Sequence, residues 1–512
     1  MIGRLSRPPH PVLFELLYEP QMERAQRDVL PYLLAIDAAH IVMLAERTLL
    51  GGEAAAALLR VNTELTARLD AGEEVLETPA THRGVYFIYE RKYITELGET
   101  VGGAAHLARS RNDINATVAR MRLREALSRT IERACDLVGS ATHVAGAHAD
   151  TVMSGFTHQQ PAQPTTLGHY LAGVSFELAR SIALLDRAYA GVNRSPMGAA
   201  AGFGTSFAID RGRVADLLGF DAVVENSLDA VASRDYVVHV LHGLTALGLT
   251  LTRFATDLQA WSSVAYGFIG WPDDLVSTSS IMPQKRNAFV LEDIRGQAAQ
   301  PAGALVAALV GMKNVPFANS VEVSAEATAH VWPAIAAIDC ACDLMTVLLR
   351  HLEVFPDRAR EFARAAETGM TAVADLLVAE HGLAFRTAHD VVGRALRDGA
   401  SSASLASLRA RLEQGLAEAT GAPRTIDEGA LARALDPEAA ARAAEYGGGP
   451  GPASVRAQLA SIAVTLDETR DRSRERRDSV AASVTRRRSA AGAVDRAAGR
   501  RADRDVSSSV CD

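Results

Sequence analysis

Apolar residues recur at every third or fourth position over long stretches of the chain, and the alternation typical of strands is scarce. This spacing places the apolar side chains on one face of an α-helix. It predicts long helices over residues 29–67, 116–149, 166–189, 231–261, 291–310, 325–352 and 369–396. Each of these segments exceeds the average helix of about 11 residues, so we expect an all-α fold built on a bundle of long helices.

Glycine and proline residues interrupt the helical pattern and suggest where domains meet. Breaks are expected at Gly51–Gly52, at Gly102–Gly103, over 191–204, over 271–287 and at Pro356. We predict an N-terminal helical domain (1–112), a central helical bundle (113–360) and a C-terminal helical domain (361–466). A Gly-rich phosphate loop after a strand is missing from the sequence, which argues against a nucleotide-binding fold.

Residues 467–512 differ from the rest of the chain, because they are rich in Arg, Ser and Ala and contain no aromatic residue. Such a segment buries too little apolar surface to offset its ordering entropy, so we predict a disordered tail. The arginines at 486–488 suggest contact with nucleic acid. The acidic residues interleaved with the basic ones favour a solvated tail instead, and no nucleic-acid partner is expected.

Composition indicates an ordinary globular protein, with 512 residues, 48% hydrophobic residues and a net charge of -8. No apolar run approaches the ~20 residues that cross a bilayer, and residues 1–21 lack the pattern of a signal peptide. We therefore expect a cytoplasmic protein with no membrane partner. The cysteines are too scattered for a disulfide framework or a zinc site, and they stand at 135, 340, 342 and 511.

Lysine is rare in this chain, since only Lys92, Lys285 and Lys313 occur among 53 basic residues. The ammonium group is a compact point charge that a guanidinium does not replace. A lysine in a sequence whose basic residues are almost all arginine is therefore a candidate for a specific function.

Three polar segments stand beside predicted helices, and we call them the first island (106–113), the second island (155–164) and the third island (277–287). In the first, Ser110, Arg111 and Asn112 precede a helix, whose free N–H groups and positive dipole end suit a carboxylate. The alternative is an ordinary capped helix with Asp113 as its N-cap.

The other two islands carry titratable and nucleophilic groups. In the second, Thr157 and His158 stand among glutamines, and a histidine is a natural acid or base near neutral pH; a purely structural histidine is the alternative. In the third, Ser279 could act as a nucleophile or base if it were strongly activated. Lys285 and Asn287 could stabilise an oxyanion, and a solvated loop is the alternative.

Taken together, the islands resemble the signature regions of the fumarase/aspartase superfamily, and most closely those of argininosuccinate lyase. Residues 278–287 read Thr-Ser-Ser-Ile-Met-Pro-Gln-Lys-Arg-Asn and are similar to Gly-Ser-Ser-x-Met-Pro-Gln-Lys-Lys-Asn. The first island is similar to Gly-Arg-Ser-Arg-Asn-Asp, with Ala108 for the glycine, and the second to Thr-His-x-Gln-x-Ala-Gln-Pro. Further matches lie at 226–230, 233–235 and 385–389. The resemblance spans roughly 29–465.

This resemblance implies a three-part helical fold whose central bundle assembles into a homotetramer, with each active site shared by three subunits. It implies a C–N lyase that releases fumarate by reversible β-elimination, without a metal or organic cofactor. The proton removed lies beside a carboxylate and is weakly acidic, so the enzyme must stabilise a dianionic aci-carboxylate.

The resemblance also implies a role for each matching residue. Ser279 would be the base, with Lys285 and Asn287 holding the aci-carboxylate. His158 would assist proton transfer to the leaving nitrogen, oriented by Glu292. The remaining substrate-binding residues would be Ser110, Arg111, Asn112, Thr157, Ser280 and Met282. His381 and His389 are expected to be structural.

The half of the site that would hold arginine departs from the family. An Asp-x-His segment is replaced at 84–90 by Gly-Val-Tyr-Phe-Ile-Tyr-Glu, and Tyr-Asn-x-Asp-Leu-Gln-x-Asp-Lys is replaced at 318–326 by a segment ending in Glu326. A carboxylate in place of a lysine repels an α-carboxylate and suits a cationic amine. We therefore predict a different N-substituted aspartate, made from fumarate and a diamine or an amino acid, with Glu326 binding the amine. Argininosuccinate lyase with a changed pocket and a catalytically silent structural homologue are the alternatives.

Overall fold

The computed structural model describes residues 7–76, 84–397 and 404–508. The N-terminal part is a helical layer, and its helices are α1 (Pro11–Leu13), α2 (Glu19–Asp28), α3 (Leu30–Glu46), α4 (Gly52–Asp70) and α5 (Val85–Gly102). A π-helical turn at Phe14–Tyr18 joins α1 to α2, and a 3-10 turn at Gly103–His106 follows α5. The break predicted at Gly51 is confirmed, since this residue is the N-cap of α4.

The central part is a bundle of long helices joined by short ones. Its helices are α6 (Arg111–Ala147), α7 (Leu167–Val192), α8 (Arg211–Leu218), α9 (Ser227–Ala232), α10 (Asp235–Ser262), α11 (Val290–Met312), α12 (Ala327–Ala329) and α13 (Val331–Arg350). A π-helical turn at Glu322–Glu326 precedes α12, and a 3-10 turn lies at Asp273–Leu275. The long-helix bundle predicted from periodicity is confirmed.

The bundle helices pack closely around one apolar core. A Cβ added at Gly248 of α10 would lie 2.1 Å from the carbonyl oxygen of Ala298 in α11, so these two backbones touch. The ranges Asp235–Ser262 and Glu322–Arg350 are long and apolar enough to cross a membrane. About half of each is buried against neighbouring helices, which is the arrangement of core helices in a bundle.

Short two-stranded pairs interrupt the helices. The antiparallel pairs are β1 (Val152–Thr157) with β2 (Gln160–Thr166), β5 (Ile269–Gly270) with β8 (Glu353–Val354), and β6 (Ser277–Thr278) with β7 (Arg286–Asn287), while β3 (Arg194–Ser195) pairs in parallel with β4 (Ala222–Val223). The hydrophobic periodicity does not predict these strands. Two of the hairpins, β1–β2 and β6–β7, contain the second and third islands.

The C-terminal part has its own core. Its helices are α14 (Pro356–Ala365), α15 (Met370–His381), α16 (Phe385–Arg397), α17 (Leu405–Thr420), α18 (Glu428–Leu435) and α19 (Pro437–Ala443). Buried side chains such as Leu377, Val391 and Leu412 form a cluster between α15, α16 and α17. His389 of α16 is exposed on this part, apart from the islands.

The prediction of a disordered tail is wrong for the described residues. Residues Pro452–Ser508 form one helix, α20, of 57 residues. Arg472 and Arg476 both pair with Asp186 of α7, at 3.0 and 2.5 Å. Ser473 is buried, and a Cβ added at Gly219 would lie 2.8 Å from the hydroxyl oxygen of Ser483.

The composition led to the wrong prediction because this helix packs on the bundle without large apolar residues. Its small residues allow α20 to approach the bundle closely, and its arginines find acidic partners there. Arg486 pairs with Asp216, and Arg487 donates to the carbonyl of Leu217. These arginines therefore face the protein. Residues 509–512 of the predicted tail lie outside the described residues.

Candidate active site

The first island forms the start of α6, and Ser110 rather than Asp113 is its N-cap. The Ser110 hydroxyl accepts from the N–H of Asn112 at 3.4 Å, and the N–H of Ser110 donates to Asp113 Oδ1 at 2.9 Å. This reciprocal capping box corrects the predicted cap. It leaves Arg111 and Asn112 in the first turn, where a helix favours an anion.

Buried pairs hold this helix start in place. Arg109 is paired with Asp37 of α3, and both side chains are buried. The Tyr89 hydroxyl of α5 donates to the same carboxylate at 2.8 Å. Beside them, burial and then the charge of Arg109 lower the pKa of His106 to about 4, so this histidine is neutral at physiological pH. The first island therefore stands on a rigid base.

Two segments that depart from the argininosuccinate lyase pattern lie directly beside the first island. The guanidinium carbon of Arg111 lies 4.5 Å from the ring centre of Phe87 in α5. The side-chain amide of Asn319 donates to Asn112 Oδ1 at 3.0 Å, and Asn112 Nδ2 donates to the carbonyl of Ala201 at 3.2 Å. Local sequence spacing does not single out Phe87, Ala201 or Asn319 as neighbours, although the first and last lie in the segments that depart from the family pattern.

Exposed aromatic and acidic residues lie close to these contacts along the chain. Phe203 and Phe317 stand two residues from Ala201 and Asn319, and 83% and 65% of their surfaces are exposed. Glu326 is exposed in the π-helical turn that follows Asn319. Glu326, the carboxylate predicted to bind the amine, therefore lies a few residues after the loop that contacts the first island.

The second island forms the tip of the β1–β2 hairpin. His158 and Gln159 have φ angles of 51° and 59°, which are left-handed values at both turn positions. Such hairpin turns prefer Asn and Gly, and other residues held there tend to mark functional sites. Phe156 anchors the hairpin through ring contacts with Tyr266 and Phe362. Thr157 and His158 are exposed at the tip of this anchored hairpin.

The third island forms the β6–β7 hairpin, in which Ser277 pairs with Asn287. The hydroxyl oxygen of Ser279 accepts the N–H groups of Met282 at 3.0 Å and of Ile281 at 3.3 Å. Hydrogen bonds to the charged form of a group favour that form. The two donors would therefore stabilise an ionised Ser279 hydroxyl, which is the form in which a serine acts as a base.

The stem of this hairpin is fixed and its tip is open. Arg286 donates to the carbonyl of the buried Trp271 and pairs with Asp273, both at 2.8 Å. Ser280, Met282 and Lys285 are exposed in the loop. The hairpin is therefore tethered at its stem, and the side chains of its loop are open to solvent.

The described part of the chain does not join the islands to one another. Glu292, in the first turn of α11, accepts from Gln259 at 2.8 Å rather than from His158. Within 7–76, 84–397 and 404–508, no hydrogen bond, ion pair or ring contact connects two islands. The same residues contain no His, Cys, Asp and Glu cluster that could hold a metal ion.

Comparison with known proteins decides the family. Residues 21–303 match the family described as Lyase, and residues 368–442 match the argininosuccinate lyase C-terminal family. The chain is 35% identical over 470 residues to "Argininosuccinate lyase 1" of Shouchella clausii, which covers 91% of this chain and 93% of that protein. It is 39% identical over 440 residues to "Argininosuccinate lyase" of Halobacterium salinarum, covering 85% and 87%.

The chain belongs to the fumarase/aspartase superfamily. It is an argininosuccinate lyase-like C–N lyase, and the resemblance drawn from the three islands is confirmed.

Solved structures confirm the fold of this lyase. EDDS lyase in complex with formate superimposes with a TM-score of 0.82 at 30% identity, covering 97% of this chain and 98% of that one. An EDDS lyase variant with bound fumarate gives the same values. The 3-carboxy-cis,cis-muconate lactonizing enzyme of Pseudomonas putida shares the fold, with a TM-score of 0.65 at 21% identity.

Proposed function

We propose that this lyase catalyses the reversible β-elimination of fumarate from an N-substituted aspartate. The hydroxyl of Ser279 supports this proposal most directly, because it accepts two backbone N–H groups in a loop that also carries Lys285. A weakly acidic carbon needs a strong base and a stabilised anion, and the loop offers the groups for both.

In this reaction the ionised Ser279 hydroxyl removes a proton from the carbon beside a carboxylate. Lys285 and Asn287 stabilise the resulting aci-carboxylate by charge and hydrogen bonding. The electron pair then forms the carbon–carbon double bond of fumarate while the C–N bond breaks. His158 delivers a proton to the departing nitrogen, and Glu292 orients that histidine.

The other groups bind and enclose the substrate. Arg111 and Asn112 at the start of α6 hold the succinyl carboxylates, because a helix start and a guanidinium both favour anions. Ser110 and Thr157 add hydroxyl donors. Ser280 and Met282 line the fumarate pocket in the loop that closes.

The active sites are proposed to be shared within a homotetramer. The absence of contacts between the islands in the described part of the chain, together with the exposed tips of the second and third islands, supports a partner surface that brings them together. Helix α11 offers such a surface: a Cβ added at Gly296 or Gly303 meets open space, and Val306 and Val310 are exposed. Small residues in a stripe allow close approach of another helix. In this assembly Glu292 meets His158 of another subunit.

A mixing experiment tests shared sites. Ser279→Ala and His158→Asn variants are each expected to be inactive. When the two are unfolded together and refolded, hybrid tetramers would contain some sites with neither substitution and regain part of the activity. Each variant refolded alone is the control, and sedimentation gives the mass. A monomeric protein, or a mixture without recovered activity, would contradict shared sites.

The amine is proposed to be cationic and different from arginine. Phe87 and Asn319, which belong to the two divergent segments, contact the first island, and the second of these segments ends in Glu326. Exchanging a lysine for a glutamate reverses the local charge. Argininosuccinate lyase is the second candidate, and the 35% to 39% identity over most of the chain favours it.

Fumarate absorbance separates these functions. The purified lyase is incubated with argininosuccinate, and separately with fumarate plus a panel of diamines and amino acids. Consumption of fumarate with another amine alone supports the proposal, and rapid release from argininosuccinate makes the chain an argininosuccinate lyase. A Glu326→Lys variant is expected to gain activity towards argininosuccinate, with Glu326→Gln as the matched neutral control. No turnover with any substrate, equal to that of Ser279→Ala, would indicate a silent homologue.

A further inference from the structure

One buried carboxylate lies beneath the first island and has no part in the chemistry proposed above. Asp113 is fully buried in the first turn of α6. Its Oδ1 accepts the N–H groups of Ser110 at 2.9 Å and of Ile114 at 3.0 Å. Its Oδ2 accepts those of Gly198 at 3.0 Å and of Ala200 at 2.9 Å. One oxygen thus holds the helix start, and the other holds a distant loop.

The loop held in this way is 195–204, and its backbone is unusual. Gly198, Ala200 and Gly202 have φ angles of 83°, 54° and 119°. A left-handed alanine is unfavourable on its own and persists where surrounding contacts impose it. The two N–H groups that converge on Asp113 supply such contacts.

The same loop reaches the residues that are proposed to bind substrate. The carbonyl of Ala201 accepts from Asn112 Nδ2 at 3.2 Å, and Asn112 Oδ1 accepts from Asn319. The side chain of Asn112 is therefore oriented from both sides, and one of these supports depends on the loop that Asp113 holds.

We propose that Asp113 is a positioning residue whose ionised carboxylate ties loop 195–204 to the start of α6 and thereby orients Arg111 and Asn112 towards the substrate carboxylates. This inference rests on the proposed function, since it takes Arg111 and Asn112 as the anion-binding groups. Only an ionised carboxylate accepts all four N–H groups, because a proton on either oxygen would face a donor.

The protonation of Asp113 gives the proposal a pH signature. Burial raises the pKa of Asp113 to about 6, although the N–H groups of Ser110, Ala200 and Gly198 and the charge of Arg109 oppose the rise. Arg211 is a further cation that interacts with it. Fumarate affinity is therefore expected to weaken as the pH falls through about 6.

This weakening is distinct from acid unfolding. The folded chain binds the Asp113 proton more tightly than an ordinary carboxyl of pKa 3.8 does. The linkage of this group therefore favours the folded state as it becomes protonated. A loss of affinity near pH 6 in a protein that stays folded reports the loosened helix start.

The test uses fumarate as the probe and calorimetry to measure its dissociation constant between pH 5 and 8. Asp113→Asn keeps the shape and removes the charge. At pH 8 we expect at least about tenfold weaker fumarate binding, the effect of losing one charge-assisted hydrogen bond, and no further weakening near pH 6. With a working amine, KM rises more than kcat falls. Asp427→Asn is the matched control, because Asp427 accepts the Ala430 N–H at the start of α18. This variant should change neither the dissociation constant of fumarate nor its dependence on pH.

The outcomes separate the inference from the function beneath it. If the wild-type protein does not bind fumarate at all, the proposed function fails. If the wild type binds and Asp113→Asn binds equally well at pH 8, the positioning role is refuted. If circular dichroism shows that Asp113→Asn is unfolded, Gly198→Ala serves as the second variant that tests the positioning role. Alanine is strained at the φ of 83° found there, and its Cβ would lie 2.9 Å from side-chain carbons of Arg211 and Ile209. The loop is therefore expected to shift, so fumarate affinity equal to wild type would also refute the role.

Discussion

The contact between helix α20 and the bundle can be tested through one arginine. Arg476 pairs with Asp186 at 2.5 Å, and its guanidinium carbon lies 4.3 Å from the ring centre of Tyr189. Only 19% of the arginine side chain and 12% of the aspartate side chain are exposed. Arg476→Ala would remove an ion pair and a cation–π contact together, and we expect α20 to detach more often.

The magnitude follows from the two lost contacts. A partly buried ion pair contributes more than the 0–1 kcal/mol typical of exposed pairs, and Asp186 keeps Arg472 at 3.0 Å, so we assign about 1–1.5 kcal/mol. The cation–π contact adds about 0.5–1 kcal/mol. The sum of about 2 kcal/mol corresponds to a roughly 30-fold increase in the opening constant of α20.

Hydrogen–deuterium exchange of peptides from 468–490 measures this opening directly. Arg474→Ala is the matched control, because Arg474 lies in the same helix and pairs with Asp471 while 64% of each side chain is exposed. An exposed pair three residues apart on a helix is worth about 0.2–0.5 kcal/mol, so the exchange of Arg474→Ala should rise less than about threefold. Equal exchange in Arg476→Ala and Arg474→Ala would refute the packing argument for α20.

Three further predictions concern packing, pH and the second island. Gly248→Ala should destabilise the protein by more than about 2 kcal/mol in denaturant unfolding, because its Cβ would lie 2.1 Å from a backbone oxygen. Gly173→Ala is the control: a Cβ there meets nothing within 4 Å, so this variant should be as stable as the wild type or more stable. Burial lowers the pKa of His40 from 6.5 to about 3. His40 therefore binds a proton in the unfolded chain at a pH at which it stays neutral in the folded chain. The free energy of unfolding should fall between pH 6.5 and 3 by up to about 1.4 kcal/mol per pH unit, and it should fall less steeply in His40→Gln. His158→Asn should keep the left-handed turn, which Asn tolerates, and lose at least about 100-fold in fumarate release.

The helical fold was predictable because long helices repeat a simple spacing. The segments 116–149 and 231–261 coincide closely with α6 and α10. The β1–β2 hairpin was missed because its turn contains neither Asn nor Gly; His158 and Gln159 adopt the left-handed turn without the usual sequence signal. The course of α20 was missed because its stability comes from partners far along the chain, such as Asp186.

The candidate site was predictable in its parts and not in its assembly. Local spacing was enough to mark Arg111, His158 and Ser279 as candidates. Contacts between Arg111 and Phe87, or between Asn112 and Asn319, join residues 24 and 207 positions apart, and local spacing carries no information on such pairs. The cap of α6 was placed at Asp113 because both Ser and Asp are good caps, and the backbone geometry selects Ser110.

The two proposed halves of the site differ in how they are built, and this difference bears on how a lyase of this kind could exchange its amine. The carboxylate half stands on buried charges: the Arg109–Asp37 pair and Asp113 fix the start of α6, so a substitution there leaves a buried charge without its partners. The loops proposed for the amine are exposed, with Phe317 and Glu326 open to solvent, and exposed substitutions cost little stability. A chain with this architecture can therefore exchange its amine by altering those loops while the machinery proposed for fumarate stays in place.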